Sequence, residues 1–151
     1  ILKCGGNIEE SRMTTLGNEF AMLMLVSGNW HTLNRLEKGL EKLGDGDLTF
    51  TIRKTAEREV KQDRMPYAVD VVSLDHEGIV FSLASFFASH NIEIADVATR
   101  SYPAAHTGAQ MFAVQMAVNV PSSIHIAQLR EEFMELSDRL NLDAILEPVK
   151  S

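Results

Sequence analysis

The sequence is poor in cysteine, with Cys4 alone among 151 residues. A single cysteine can form neither an internal disulfide nor a cysteine-based metal cluster. Such sparing use of cysteine is typical of the reducing cytoplasm, where we expect this protein to act. We interpret Cys4 as a small apolar side chain rather than a reactive thiol.

Long apolar stretches are missing too. The longest uninterrupted apolar run, Phe20–Val26, has seven residues, which is the length of a β-strand. A membrane-spanning helix needs about 20 such residues, so we predict no membrane partner. The first residues lack the charged segment and the following apolar stretch of a signal peptide.

Positive charge is scarce in the second half of the chain. The net charge is −7; residues 1–54 carry seven acids and seven bases, whereas residues 66–151 carry eleven acids and four bases. An acidic domain repels phosphate backbones, so we expect no direct nucleic-acid binding. The apolar strands Phe20–Val26 and Met111–Val118 each hold one phenylalanine and no Arg or Lys. RNA-recognition modules, in contrast, place several aromatic residues on such strands to stack bases.

Catalytic motifs are absent from the sequence as well. It contains no Gly-x-Ser-x-Gly elbow, no phosphate-binding Gly-x-x-x-x-Gly-Lys loop and no His-Glu-x-x-His zinc helix. The histidines show no metal-ligand spacing on one helix face: His31, His76, His90, His106 and His125. We therefore predict that the protein is not an enzyme and that it holds no catalytic residue, metal or cofactor.

What the sequence does have is an internal repeat. Asn7-Ile8-Glu9 recurs as Asn91-Ile92-Glu93, 84 residues later. In both copies a half-polar segment and a turn lead to an apolar strand, Phe20–Val26 or Met111–Val118. Helix-start chemistry follows each strand, at 27–29 and at 121–123. The repeat predicts two modules of the same fold.

The segments after these strands have the period of amphipathic helices. One apolar stripe comprises Trp30, Leu33, Leu36, Leu40 and Leu43, and the other comprises Ile126, Leu129, Phe133, Leu136 and Leu140. We expect Trp30 and Phe133 to pack in the core. A final strand is predicted after each helix, at Leu48–Arg53 and at Leu142–Leu146.

The second copy has, in addition, an opening strand and helix. Tyr67–Leu74 is rich in valine and predicts a strand, and apolar residues from Ile79 to Phe87 predict a helix that ends near His90. The complete order is strand-helix-strand-strand-helix-strand, the ferredoxin-like arrangement. We predict an α+β fold of two βαββαβ modules with antiparallel sheets and both helices of a module on one face.

The first copy lacks the opening strand and nearly all of the opening helix. Without that strand, Phe20–Val26 would have a free hydrogen-bonding edge and an apolar face that is partly open. We expect about 30 residues upstream to supply the missing pieces; the alternative is a strand from another chain. We predict a first domain at 1–54, a solvated linker at 55–65 and a second domain at 66–151.

The loop between the opening strand and helix of the second module is a candidate ligand site. Gly78 permits a tight turn, and the N-terminus of the following helix offers free N–H groups and a partial positive charge. Such a terminus suits the carboxylate of an amino acid, and Asp75 or Glu77 could accept its ammonium group. The alternative is that Asp75 caps the helix and Gly78 merely turns the chain.

These residues resemble an ACT domain. Members of that family carry Asp-x-x-Gly-Ile at this turn, matched by Asp75, Gly78 and Ile79. They also have Asn-Ile at the start of the second strand, matched by Asn91-Ile92 and by Asn7-Ile8. The first copy further resembles the tandem-ACT family of bacterial glycine cleavage transcriptional repressors. Its matching segments are residues 5–12, 17–20 and 25–28.

The resemblance implies a regulator with no DNA-reading element of its own. It would bind a transcriptional activator protein and release it when glycine is present. We expect a homodimer, and we expect the sheets of two modules to pair edge to edge, within a chain or between chains. The ligand residues that carry over by position are Asp75, His76, Glu77, Gly78, Ile79, Asn91, Ile92, Asn7 and Ile8.

Two other functions fit the same sequence. The chain could be the regulatory part of a metabolic enzyme, such as a formyltetrahydrofolate deformylase or an enzyme of amino-acid synthesis. It could also be a pairing module that binds no small molecule.

Overall fold

A computed structural model describes residues 1–44, 46–59 and 61–150. The chain divides into two compact units, Ile1–Arg58 and Glu59–Ser151. Each unit carries its own antiparallel sheet.

The second unit contains a complete module. Its elements are β3 (Arg64–Leu74), α2 (Ile79–Ser89), β4 (Glu93–Pro103), β5 (Gln110–Pro121), α3 (Ile126–Leu140) and β6 (Asp143–Pro148). The sheet has the order β4-β5-β3-β6, and all three pairings are antiparallel. The central strand β3 is hydrogen-bonded to β5 along one edge and to β6 along the other. This is the ferredoxin-like order that the sequence predicts.

The core of this module lies between the sheet and its two helices. Alternate residues of β3 point inward, and Val69 and Val71 are each 1% exposed. They face buried residues of α2 and α3, among them Leu83, Phe87 and Phe133. Full burial of each such side chain stabilises the fold by about 1.5–3 kcal/mol. The predicted burial of Phe133 is therefore confirmed.

A polar contact also joins the two helices. His90, which ends α2, donates from Nδ1 to the Phe86 carbonyl at 2.8 Å and from Nε2 to Glu132 of α3 at 2.6 Å. The bond to Phe86, together with that to Glu132, raises the pKa of His90 against the opposing effect of desolvation. The bond from His90 is also the main reason that the pKa of Glu132 is lowered.

The first unit contains a partial module. A short 3₁₀ helix, Leu2–Cys4, precedes β1 (Asn7–Leu16), β2 (Glu19–Ser27) and α1 (Trp30–Leu43). The α1 helix begins as the sequence predicts, because the side chain of Asn29 accepts a hydrogen bond from the Thr32 amide at 2.9 Å. In the second module the predicted start at 121–123 is wrong. There α3 follows His125, which makes no side-chain cap.

Most apolar side chains of the first unit are uncovered. Within residues 1–44 and 46–58, the buried side chains are Thr32 and Leu36. Both faces of β2 expose large apolar residues, such as Phe20 and Leu23. Among the described residues β2 pairs with β1 alone, so the predicted free edge is confirmed. The prediction that Trp30 is buried is wrong: it is 66% exposed, with its ring against His31.

The predicted strand at Leu48–Arg53 is also wrong. These residues alternate apolar and polar side chains but form no ladder in the structure. In the second module the equivalent strand, β6, pairs with the central strand β3. The described part of the first unit has no counterpart of β3, and a strand pattern without a partner edge cannot form a sheet.

Because the two units differ so much in buried apolar surface, we expect this chain to unfold in two steps. Trp30 is the sole tryptophan and lies in the first unit, whereas both tyrosines, Tyr67 and Tyr102, lie in the second. Tryptophan fluorescence should therefore change at a lower urea concentration than the tyrosine signal in near-UV circular dichroism. Coincident midpoints would contradict the two-step expectation.

Candidate functional site

The loop Asp75–Gly78 is fixed to the sheet at its first residue. The Asp75 amide donates to the Gln110 carbonyl of β5 at 2.8 Å. Its carboxylate accepts a hydrogen bond from the Ser101 hydroxyl of β4 at 3.2 Å. The loop therefore starts from a defined point beside the β4–β5 connection.

The loop ends at an open helix terminus. Gly78 is the N-cap residue of α2, with a left-handed φ of 86°, and it provides no side-chain cap. The alternative in which Asp75 caps this helix is wrong, since its carboxylate bonds to Ser101 instead. A Cβ added at Gly78 would meet no atom within 4 Å. The first turn of α2 thus has no side-chain cap and the space beside Gly78 is open; uncapped helix N-termini of this kind can bind anions.

The other loop positions differ in accessibility. His76 and Glu77 are exposed, and His76 contacts the Glu77 carbonyl through Nδ1 at 3.2 Å. Ile79 is 2% exposed and belongs to the core. A ligand at this terminus could therefore contact His76 and Glu77, while the buried side chain of Ile79 anchors the start of α2 in the core.

Asn91 and Ile92 terminate α2 at its other end. Asn91 has a left-handed φ of 55°, its amide donates to the Ala88 carbonyl at 3.0 Å, and the Ile92 amide donates to the Phe87 carbonyl at 2.9 Å. This bond pattern is the Schellman motif, which requires a residue that tolerates the left-handed conformation. Ile92 is buried in the core. Both residues thus have a structural role that explains their presence.

The first unit repeats this geometry, but in a different register from the predicted one. Gly5 has a left-handed φ of 79°, and Gly5 and Gly6 donate to the carbonyls of Leu2 and Ile1. They are equivalent to Asn91 and Ile92, which lie 86 residues later, so the predicted offset of 84 residues is wrong.

The strand bulges agree with this register. They occur between Ile8 and Glu10 in β1 and between Ile94 and Asp96 in β4. Asn7 therefore corresponds to Glu93, the first residue of a strand, rather than to Asn91.

Asn7 and Ile8 begin β1 on the surface of the first unit. The side-chain amide of Asn7 donates from Nδ2 to the Glu9 carboxylate at 2.9 Å, and the Ser27 hydroxyl donates to the same carboxylate. Both bonds lower the pKa of Glu9, and the bond from Ser27 has the larger effect. Ile8 is 47% exposed.

Within one module the structure does not bring the predicted ligand residues together. Asp75–Gly78 and Asn91 lie at opposite ends of α2, whose 11 residues span about 16 Å. Among the predicted ligand residues, those of the loop Asp75–Gly78 are the exposed polar ones beside the uncapped N-terminus of α2. Sequence reasoning missed Ser101 and Gln110, which hold Asp75. The repeat assigned Ser101 to a connector, whereas β4 continues to Pro103.

The described ranges contain neither a candidate metal centre nor a membrane-spanning helix. Within residues 1–44, 46–59 and 61–150, no group of three or more His, Cys, Asp or Glu side chains could hold a metal ion. No helix in these ranges is long and apolar enough to span a membrane.

Comparison with known proteins gives the family. A model of the ACT domain matches residues 1–53. The glycine cleavage system transcriptional repressor of Escherichia coli (strain K12) is 30% identical over 142 residues, which cover 93% of this chain and 75% of that protein. The repressor of Shigella flexneri matches with the same values. The chain belongs to the family of glycine cleavage system transcriptional repressors.

Solved structures agree with membership of this repressor family. A crystal structure of a protein assigned as a glycine cleavage system transcriptional repressor has a TM-score of 0.75 and 28% identity. An unknown protein from Galdieria sulphuraria has a TM-score of 0.78 and 27% identity. Each match covers 99% of this chain and 85% of the other chain. The two modules are ACT domains, and the family indicates a regulatory role.

The role of Asn91 can be separated from ligand binding by substitution. Asn91→Ala should destabilise the second module by about 1 kcal/mol, because alanine disfavours the left-handed conformation, whereas Asn91→Gly should have little effect. Urea unfolding monitored by the tyrosine signal measures both changes. Equal stability of the two variants would contradict the helix-terminating role of Asn91.

Proposed function

We propose that the chain is an amino-acid-responsive regulator of glycine cleavage that acts through contacts with other proteins. The observation that carries the proposal is its 30% identity, over 93% of its length, to a glycine cleavage system transcriptional repressor. In this proposal the protein has no catalytic residue and controls gene expression through a partner.

The proposed ligand is glycine, bound at the start of α2. The open first turn of α2 would hold the carboxylate of glycine, because the N-cap residue Gly78 leaves its amides without a side-chain cap. Glu77 and the second oxygen of Asp75 would accept the ammonium group. The open space around Gly78 suits a ligand that approaches the backbone closely.

The proposed partner is a transcriptional activator protein rather than DNA. The net charge is −7, and the acidic excess lies in residues 66–151; this favours contacts with protein over contacts with a phosphate backbone. The outer edge of β4 is unpaired in the described sheet. It offers hydrogen-bonding groups for pairing with a second copy or another module.

A reporter experiment tests the glycine response. The chain, expressed in a bacterium that lacks its own repressor, should lower expression from a glycine cleavage promoter, and added glycine should restore it. Gly78→Val should abolish the response to glycine, because a β-branched residue disfavours the left-handed turn and fills the proposed binding space.

Gly17→Val is the matched control. Gly17 also has a left-handed φ, of 62°, and it also has no atom within 4 Å of an added Cβ. It lies in the β1–β2 turn of the other unit, so this variant should keep the response. A glycine response that survives Gly78→Val would show that the loop is not the sensor. The absence of any effect of the chain on the promoter would contradict the regulatory proposal.

A further inference from the structure

His90, at the C-terminal end of α2, has both of its ring nitrogens against hydrogen-bond acceptors. Nδ1 lies 2.8 Å from the Phe86 carbonyl oxygen, and Nε2 lies 2.6 Å from a carboxylate oxygen of Glu132 on α3. A carbonyl and an ionised carboxylate accept hydrogen bonds but donate none, and a neutral imidazole has a single N–H. The two bonds therefore form together only when the ring of His90 is protonated.

The two acceptors are held around the ring by contacts of their own. Gln128 donates to the other oxygen of Glu132 at 2.9 Å, and the Phe86 ring packs against His90 with the ring centroids 4.5 Å apart. The Ser89 hydroxyl donates to the Phe86 carbonyl at 2.7 Å and lies 3.2 Å from Nδ1 of His90. Because a neutral ring keeps one N–H, loss of the proton removes the charge and at least one of the two bonds.

The surroundings of His90 favour the protonated ring. The C-terminus of a helix carries a partial negative charge that stabilises a cation there, and residues 79–89 of α2 include no charged side chain. From β4, Glu93 follows His90 by three residues and lies 3.8 Å from Arg64. The other titratable side chains of α3 and its N-cap are exposed: His125, Arg130, Glu131, Glu135, Asp138 and Arg139. Glu132 is thus the ionised group in direct contact with His90.

The direction of the pKa shifts gives the pH range in which this contact acts. The bond to the Phe86 carbonyl and the Glu132 carboxylate raise the pKa of His90 above its ordinary value of 6.5, against the effect of desolvation. Stabilisation by this proton is complete below pH 6.5 and is lost as the pH rises through the raised pKa. The bond from His90 lowers the pKa of Glu132 from 4.5, so the contribution of Glu132 is complete above pH 4.5 and is lost as the pH falls through the lowered pKa. The contact is therefore strongest between pH 4.5 and pH 6.5.

We propose that protonated His90 forms a pH-sensitive contact that holds the C-terminal turn of α2 to α3, and that this turn opens more readily once the proton is lost. The Asn91 and Ile92 amides report on the turn, because they donate to the Ala88 and Phe87 carbonyls. The contact lies at the other end of α2 from the proposed glycine site and does not depend on it.

A pH titration of the full ¹⁵N-labelled chain, followed by the ring nitrogens of its histidines, tests the protonation of His90. The titration runs from about pH 5 to about pH 9, which spans the range of histidine, and His90→Gln identifies the signal. We expect a midpoint above 6.5, with protons on both ring nitrogens below it. Glu132→Gln keeps a hydrogen-bond acceptor but removes the charge, so it should lower the midpoint. A wild-type midpoint at or below 6.5, or one that Glu132→Gln leaves unchanged, would overturn the proposal.

Amide hydrogen exchange of the same chain tests whether this proton controls the turn. After correction for the intrinsic exchange rate, protection of the Asn91 and Ile92 amides should fall about fivefold from about pH 6 to about pH 8.5, the upper range for a partly exposed ion pair. In His90→Gln the protection of these amides should no longer change over this range, since the titrating group is gone.

His106→Gln is the matched control for amide exchange. His106 is exposed and lies in the connection between β4 and β5 of the same module, so this variant should keep the pH dependence of the wild type. Protection that stays constant in the wild type would overturn the proposal, and so would an equal pH dependence in the wild type and in His90→Gln.

Discussion

The sheet pairing and the burial of apolar side chains in each unit depend on whether its central strand has partners on both edges. In the second module β3 pairs with β5 and β6, and its inward side chains, Val69 and Val71, anchor α2 and α3 on one face. The described part of the first unit has no equivalent strand. As a consequence β2 has one partner, the alternating segment 48–53 forms no ladder, and α1 buries a single large apolar side chain, Leu36. One missing pairing explains all three observations, because each depends on the same backbone hydrogen bonds.

The central strand also positions the candidate site. β3 leads to Asp75, which bonds to Gln110 of the neighbouring strand β5 and to Ser101 of the edge strand β4. Gly78 then turns the chain into α2, whose core residues are packed against β3 itself. A loop held in this way presents its helix terminus without needing a side-chain cap. The proposed binding of a carboxylate at this terminus would therefore cost little in ordering.

Much of the fold could be predicted because it rests on local patterns. The periods of two and 3.6 residues gave every strand and helix of the second module and the burial of Phe133. The errors came from tertiary context: Trp30 and the segment 48–53 have the right pattern but lack the elements that would cover or pair with them. The site was partly predictable. Gly78 was found from its turn chemistry, but the Asn-Ile repeat was misleading, since Asn91 terminates a helix whereas Asn7 starts a strand.

The family indicates a regulatory role, and the function proposed above is a sensor in which metabolite binding controls a protein contact. The most direct test of this account is a calorimetric titration of the chain with glycine, with serine and alanine as comparisons. The account predicts saturable heat with glycine, with weaker binding of the two larger amino acids, since the terminus at Gly78 favours close approach to the backbone. No saturable heat with any of the three would contradict it; the ACT fold would then serve protein pairing alone.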